Sequence, residues 1–292
     1  MQITAQLVKQ LRDLTGAGMM DCKKALVESE GVIDAAVEWL QIKGMAAAAK
    51  KSSRVAAEGL VESWVSPDGK EGVLIEVNCE TDFVTRNEGF QKLVSDLASV
   101  IGPSSASTVE ESLALMKGSI TLEKVVSEAI STIGENIQLR RVARIKADGL
   151  VANYMHAGNQ IGVLVGIAGD NEAFARDVAM HVAALHPAVL SPEEIDADTA
   201  AKQEEIFNGI VREEGKPEAI IPKIVAGKMS KWRREVSLRD QPFVKNPDLT
   251  VAQYETETGG VTLTGFIRLQ VGEGIEKEEK SLADEVAATL KG

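Results

Sequence analysis

Glu58-Gly59-Leu60-Val61 and Asp148-Gly149-Leu150-Val151 are the same four-residue phrase written ninety positions apart, and both copies continue in step. Trp64 corresponds to Tyr154, and Gly72-Val73-Leu74-Ile75 corresponds to Gly162-Val163-Leu164-Val165. Each copy places β-rich runs on either side of a turn, which predicts a β-hairpin in both. The turns are Pro67-Asp68-Gly69 and His156-Ala157-Gly158-Asn159. An amphipathic helix opened by a phenylalanine follows, from Phe90 and from Phe174, and by then the offset has fallen from 90 to 84. The first copy therefore holds six further residues between strand and helix, within Cys79-Glu80-Thr81-Asp82-Phe83-Val84-Thr85-Arg86-Asn87. This connection reads as a loop. Phe83 stands in it among polar neighbours, where its own chain offers little cover.

Working outward, the first unit begins at Ala56. Phe90, Leu93, Val94, Leu97 and Ile101 recur at three- and four-residue steps and predict a helix covering one face of the hairpin. Residues 109–133 read as one or two further helices, and Asn136 to Ile145 as a strand. The second copy repeats this order, with Val178, His181, Val182 and Leu185 as the helix stripe and Pro187 and Pro192 as its stop. From Glu193 to Arg234 the chain turns highly charged. Two apolar seams, Ile206, Ile210 and Val211, then Ile220, Ile224, Val225, Met229 and Trp232, flank Gly215-Lys216-Pro217 and predict a projecting helical hairpin. The closing strand is Val261 to Leu269, and Ser281 to Leu290 suits a last amphipathic helix.

Ahead of the repeat, residues 1–43 predict three short helices. Ile3, Leu7, Leu11 and Leu14 share a face, and Thr4 is a natural N-cap. Gly16-Ala17-Gly18 breaks the first helix, Asp21 is placed to cap a second carrying Cys22, Ala25 and Leu26, and Gly31 ends it. Val32 to Leu40 supplies the third. Met19-Met20 falls in a turn, where the thioethers either meet a partner or fold back on the small bundle. Gly44 to Arg54, small and basic, reads as a tether.

The 292 residues suffice for about two domains with a substantial core. No stretch approaches the ~20 apolar residues of a membrane span. Met1-Gln2-Ile3-Thr4 has no basic n-region or long apolar run, so no secretory signal is expected. With two cysteines far apart, Cys22 and Cys79, a cytoplasmic chain with reduced thiols is the expectation. The balance of 44 acidic against 32 basic residues, a net charge of −12, repels a phosphate backbone. The longest basic clusters are Lys50-Lys51 with Arg54 and Lys231 to Arg234, and nucleic acid is not expected as a direct partner.

No motif of reactive chemistry stands out in the chain. The chain has no Gly-x-x-x-x-Gly-Lys-Ser/Thr, and Gly16-Ala17-Gly18 and Gly272-Glu273-Gly274 lack the third glycine of a dinucleotide site. His181 and His186 stand roughly 140° apart on a helix, with no cysteine pair nearby, so no metal site is expected. Asp177 and His181 are four apart, a spacing that suits a satisfied helix histidine better than a catalytic dyad. Glu80 and Asp82 should raise the pKa of Cys79 and make it a poor nucleophile. No catalytic residue and no cofactor is nominated.

Four motifs together resemble bacterial elongation factor Ts nearly end to end. They are Thr15 to Leu26, Asn78-Cys79-Glu80-Thr81-Asp82-Phe83-Val84, Ile133-Gly134-Glu135-Asn136, and Gly265-Phe266-Ile267-Arg268 with Val271-Gly272-Glu273-Gly274-Ile275-Glu276. The resemblance implies an α+β protein with an N-terminal three-helix, ubiquitin-associated-like (UBA-like) module. A two-lobed core of duplicated antiparallel three-stranded sheet plus helices follows, with an inserted helical hairpin and a C-terminal helix. The expected divisions are 1–55 for the module and tether, 56–146 and 147–276 for the core lobes, 193–234 for the insertion, and 277–292 for the C-terminal module.

The resemblance also implies a guanine-nucleotide exchange factor for the GTPase elongation factor Tu, acting without covalent catalysis. Asp82 and Phe83 would enter the partner near its magnesium and phosphate site, with Thr81 and Val84 shaping the loop. Ile133 and Gly134 would make a second contact beside it, and Met19, Met20 and Lys23 a third with the same domain. His156 would meet a different partner domain, although Gln160 stands where the family is glycine-rich and basic.

The residues alone leave alternatives open. Phe83 either meets a partner or folds back over its own hairpin. The helical hairpin is either a solvated protrusion or a surface for homodimerisation or partner contact through Trp232 and the isoleucine seam. A ubiquitin-like or nascent-chain adaptor built on Met19-Met20 is the rival function.

Overall fold

The computed structural model describes residues 3–276, and the helix and module expected over 277–292 lie outside the described residues. The chain divides into two compact units. One draws on Met1–Glu62, Ile75–Val142 and Leu269–Gly292, the other on Ser63–Leu74 and Ala143–Arg268.

The first unit opens with α1 (Ala5–Thr15), α2 (Met19–Glu28) and α3 (Ile33–Lys51). The Thr4 hydroxyl accepts from the Leu7 N–H at 3.2 Å, the N-cap expected from the sequence. Gly16 ends α1 at φ 67°, its N–H donating to the Arg12 carbonyl at 2.8 Å. Leu11, Cys22, Ala25, Leu26 and Ala36 are fully buried between the three helices. Leu14, expected on the same stripe as Leu11, faces outward instead, because α1 buries only the face that carries Val8 and Leu11. Asp21 does not cap α2. The helix starts earlier, at Met19 with Gly18 as N-cap, so Asp21 lies inside its first turn.

The expected tether is also helical, since α3 runs unbroken to Lys51. The alanine run after Met45 has the strongest helix propensity available, and Lys50 and Lys51 suit the negative end of the helix dipole. Gly44 has a packing role within α3, because a Cβ there would stand 3.3 Å from the Cβ of Ser131 on α7 (Leu122–Ile133). Lys124 Nζ, also on α7, donates to Gln41 Oε1 at 2.7 Å.

The repeat supplies β1 (Glu58–Val65) and β2 (Glu71–Cys79), joined by a turn in which the Gly69 N–H donates to the Ser66 carbonyl at 2.8 Å. A one-turn helix, α4 (Asp82–Thr85), precedes α5 (Glu88–Ile101), whose expected stripe from Phe90 to Ile101 is buried. Then come α6 (Val109–Leu113), a miniature hairpin of β3 (Met116–Lys117) and β4 (Ile120–Thr121), α7, and β5 (Gln138–Lys146). In the second copy β6 (Leu150–His156) and β7 (Ile161–Ala168) pair antiparallel, with Tyr154 opposite Val163. After them follow α8 (Glu172–Leu185), α9 (Ala197–Glu213), α10 (Ile221–Val236), β8 (Pro242–Phe243), β9 (Asn246–Thr250), α11 (Val251–Thr258) and β10 (Thr262–Gln270).

The sheets are ordered β1-β2-β5 and β10-β7-β6, so in each antiparallel sheet the late strand joins the second strand of the hairpin. Neither duplicated glycine has room for a side chain. A Cβ on Gly59, at φ 150°, would run into the Val77 carbonyl, and a Cβ on Gly149 would run into the Gly169 backbone, with the carbonyl of Ile167, the counterpart of Val77, at 2.8 Å. Both copies need a close backbone approach at this position. A buried carboxylate closes the first sheet: Glu76 accepts from Arg140 at 3.1 and 3.2 Å, from Arg141, and from the Gly272 N–H at 2.8 Å. Gly272, at φ 70°, leaves no room for a Cβ against the Ala57 carbonyl. The Val271-Gly272-Glu273-Gly274 motif is therefore structural.

In the second unit α8 buries Phe174, Val178 and Val182 in one core with Val163, Val165 and Ile167, and His181 beside Phe243, while Leu185, expected on that stripe, is exposed at the helix end. The charged insertion forms the expected helical hairpin, α9 against α10, around Val211, Ile221, Val225 and Met229. Ile206, Ile210 and Ile220, assigned to its seams, face outward (53%, 40% and 45% exposed), because Ala200, Phe207 and Trp232 fill the interface in their place.

His181 is completely buried. Its Nδ1 accepts from the Val244 N–H at 3.1 Å, which leaves the proton on Nε2 to be donated to Gln241 Oε1 at 2.8 Å. Asp177 pairs elsewhere, with Lys245 Nζ at 2.5 Å and the Tyr254 hydroxyl at 3.3 Å. Burial pushes the His181 pKa below its usual value, and only the bond to Gln241 opposes that. A depressed histidine pKa stabilises the fold fully above the unfolded value of about 6.5 and less as pH falls through it. Thermal unfolding at pH 7.5 and 5.5 should show this loss in the wild type. His181→Leu should cost about 1–3 kcal/mol at pH 7.5, from the orphaned partners, and show a shallower pH slope. Equal slopes would contradict the assignment.

Candidate functional site

The six additional residues of the first copy form a folded turn. Instead of the expected loop, Asp82 to Thr85 make α4: the Arg86 N–H donates to the Phe83 carbonyl at 3.2 Å and the Asn87 N–H to the Val84 carbonyl at 2.9 Å. The Thr85 hydroxyl donates to the Asp82 carbonyl at 2.7 Å, and Arg86 lies 3.6 Å from the Asp82 carboxylate. Asn87 then caps α5, accepting from the N–H groups of Gly89 and Phe90 at 2.8 and 3.2 Å. Gln91 reaches back to the Thr85 carbonyl at 3.1 Å. The ring of Phe83 is not folded over its own hairpin. At 77% exposure it is the most exposed large apolar side chain among the described residues. Asp82 is exposed beside it, and Thr81 and Val84 are half-buried.

What holds the turn lies more than fifty residues away. Glu135 Oε2 accepts from the Glu80 and Thr81 N–H groups, both at 3.0 Å, and its Oε1 accepts from the Thr81 hydroxyl at 2.6 Å. In return Glu80 Oε1 accepts from the Asn136 N–H at 2.6 Å and from Arg54 at 3.4 Å. The Asn136 side chain donates to the Arg54 carbonyl at 2.7 Å. Cys79 is buried beside this network, with its thiol on the Thr81 carbonyl at 3.2 Å. Burial first, then the Glu135 and Glu58 charges, push its pKa up to about 12. The thiol is inert, as expected from the sequence, although burial outweighs the nearby carboxylates as the cause.

Ile133 and Gly134 end α7, immediately before Glu135. Gly134 takes φ 93° to close the helix, its N–H donating to the Ile130 carbonyl at 3.0 Å, and its Cα faces open space. Ile133 is half-buried. The α1–α2 turn reaches the same helix end, since a Cβ on Gly16 would stand 3.9 Å from the Thr132 methyl. Met19 and Met20, expected in a turn, instead open α2, because the helix starts directly after Gly18; both project into solvent, Met20 at 76% exposure, and Lys23 is exposed one turn further along. The methionines do not fold back on the bundle. Met19, Met20, Ile133, Gly134, Thr81, Asp82 and Phe83 thus belong to one unit and are linked through the end of α7. His156 belongs to the other unit. It is exposed at the β6–β7 turn, with the Tyr154 hydroxyl 3.1 Å from its Nδ1.

Nothing in the sequence alone gives Glu80, Glu135 and Asn136 a role, although they lie inside the motifs. A glutamate after a glycine reads as solvated surface, and only the fold shows the main-chain donors it meets. Among the described residues no three His, Cys, Asp or Glu side chains are placed to share a metal ion. No helix among them is long and apolar enough to cross a membrane.

Residues 80–273 match the family model described as elongation factor TS. The chain is 49% identical, over the full length of both proteins, to elongation factor Ts of Roseobacter denitrificans, and 48% identical to that of Jannaschia sp. over the same extent. The protein of that name from Halothermothrix orenii is 46% identical across 98% of each chain. A duplicated sheet, a pinned aromatic turn and full-length similarity of this order lead to one conclusion: the chain belongs to the elongation factor Ts family.

Proposed function

We propose that this protein promotes GDP release from elongation factor Tu by seating the Asp82–Phe83 turn near the partner's magnesium and phosphate site and stabilising the nucleotide-free state. In this reading Thr81 and Val84 set the angle of the turn. Met19, Met20, Lys23, Ile133 and Gly134 hold the same GTPase domain, and His156 meets a second domain. Residues 1–55 serve as a docking module, 56–146 carry the wedge, and 147–276 give the further grip. The site of action is the cytoplasm. The observation that carries this reading is an exposed phenylalanine on a turn that the chain's own hydrogen bonds keep folded.

Exchange needs no reactive group. The factor must bind the nucleotide-free partner better than the loaded one, and by linkage GDP weakens the factor as much as the factor weakens GDP. Moving a balance from 1:99 to 99:1 takes about 5.5 kcal/mol. Burying one phenylalanine supplies about 2–3 kcal/mol, so the other contacts must fix the body while the wedge acts.

Phe83→Ala should leave the melting temperature almost unchanged, since the ring touches little of its own chain. It should slow release of fluorescent GDP from elongation factor Tu far more than it weakens complex formation. Equal losses in both would contradict the wedge. An adaptor acting through Met19-Met20 would leave release untouched in every variant.

The outward isoleucines of α9 support a second contact, between two copies of the chain through the helical hairpins. Ile206 and Ile210 are one helical turn apart and exposed. Sedimentation should then show a dimer that Ile206→Lys with Ile210→Lys converts to monomer. A monomeric wild type at tens of micromolar would remove this assignment.

A further inference from the structure

The hydrogen bonds around Glu135 point to a positioning residue for exchange. We propose that Glu135 is a latch that holds the Phe83 turn in register with the Ile133–Gly134 contact, so that docking at the end of α7 and insertion of the ring occur as one rigid event. This rests on the wedge reading above and deepens it.

Three observations carry the inference. Glu135 directly follows Ile133 and Gly134 in the chain, so its backbone position is fixed by the helix end that carries them. Its carboxylate meets the main-chain N–H groups of Glu80 and Thr81 and the Thr81 hydroxyl, the residues that lead into α4. The return bond from the Asn136 N–H to Glu80 makes the connection reciprocal, so neither segment can shift without breaking both sets. Side-chain carboxylates accepting from backbone N–H are among the stronger hydrogen bonds. Here they join two contacts that are 50 positions apart in sequence, Phe83 and Ile133. Glu135 itself is not proposed to touch the nucleotide or its magnesium. It acts through the orientation of Phe83.

The test is a double-mutant cycle in the full-length protein, read by the maximal rate of fluorescent GDP release from elongation factor Tu and, separately, by affinity for the nucleotide-free partner. Glu135→Ala should lower the maximal rate about tenfold, as loss of charged hydrogen bonds would, with a much smaller change in affinity. Glu135→Gln keeps an acceptor for both N–H groups and should restore most of the rate. In the Phe83→Ala background, Glu135→Ala should cost little more, because the latch acts through the ring.

Full additivity of the two substitutions, or an unchanged rate in Glu135→Ala, would overturn the latch while leaving the wedge standing. An unchanged rate in Phe83→Ala alone would overturn the wedge and the latch with it. Should Glu135→Ala fail to fold, Thr81→Val removes only the hydroxyl arm and carries the same cycle.

Discussion

One carboxylate, that of Glu135, accepts three hydrogen bonds from the residues that lead into α4, and the shape of the candidate site follows from it. A four-residue helix cannot sustain itself: nucleation fixes several dihedrals for a single bond, and isolated turns of that length melt in water. Here the turn is tied at both ends. Glu135 fixes its entry, while the Asn87 cap and the Gln91 bond to the Thr85 carbonyl fix its exit. Phe83 can therefore stay largely in solvent. The cost of exposing the ring is offset by satisfied backbone donors beneath it.

The same logic runs through the rest of the first unit. The close approach at Gly44 and the Lys124–Gln41 bond bring the N-terminal helices onto α7, the helix whose last turn leads into Glu135. Glu76, fully buried, binds the arginines of β5 to the chain segment at Gly272. The proposed exchange by differential binding would benefit from such bonding, because a surface already in its bound shape loses less entropy on association. No reactive group is needed. The inert Cys79 and the neutral, twice-bonded His181 fit that economy.

Much of this was legible in the chain. The repeat at an offset of ninety marks both hairpins, and the alternation of Val261 to Leu269 marks the closing strand, because alternation and turn glycines are local signals. The six-residue excess marks the segment that carries Phe83; the residues leave open whether the ring meets a partner or folds back, and the fold shows it exposed. What failed was whatever depends on partners distant in sequence. Leu14, Leu185, Ile206 and Ile210 fit helical stripes by spacing, yet each lies where its helix has no neighbour to cover it. Gly44 to Arg54 reads as a tether because it is small and basic, whereas α3 continues through it to Lys51 and Gly44 is the point where that helix meets α7. Glu76 and Glu135 carry no signal in the sequence for a like reason: a glutamate's surroundings are decided by arginines or N–H groups that only the fold delivers.

The most direct measurement is fluorine NMR on protein carrying fluorophenylalanine at its six phenylalanines, with the Phe83 resonance assigned by Phe83→Leu. Phe83 is the only one of the six that is exposed, so its resonance alone should show a full solvent-isotope shift in the free protein. It should move and broaden on addition of nucleotide-free elongation factor Tu, then return as GDP is added in excess. A Phe83 resonance shielded from solvent in the free protein, or one indifferent to the nucleotide state of the partner, would contradict the account.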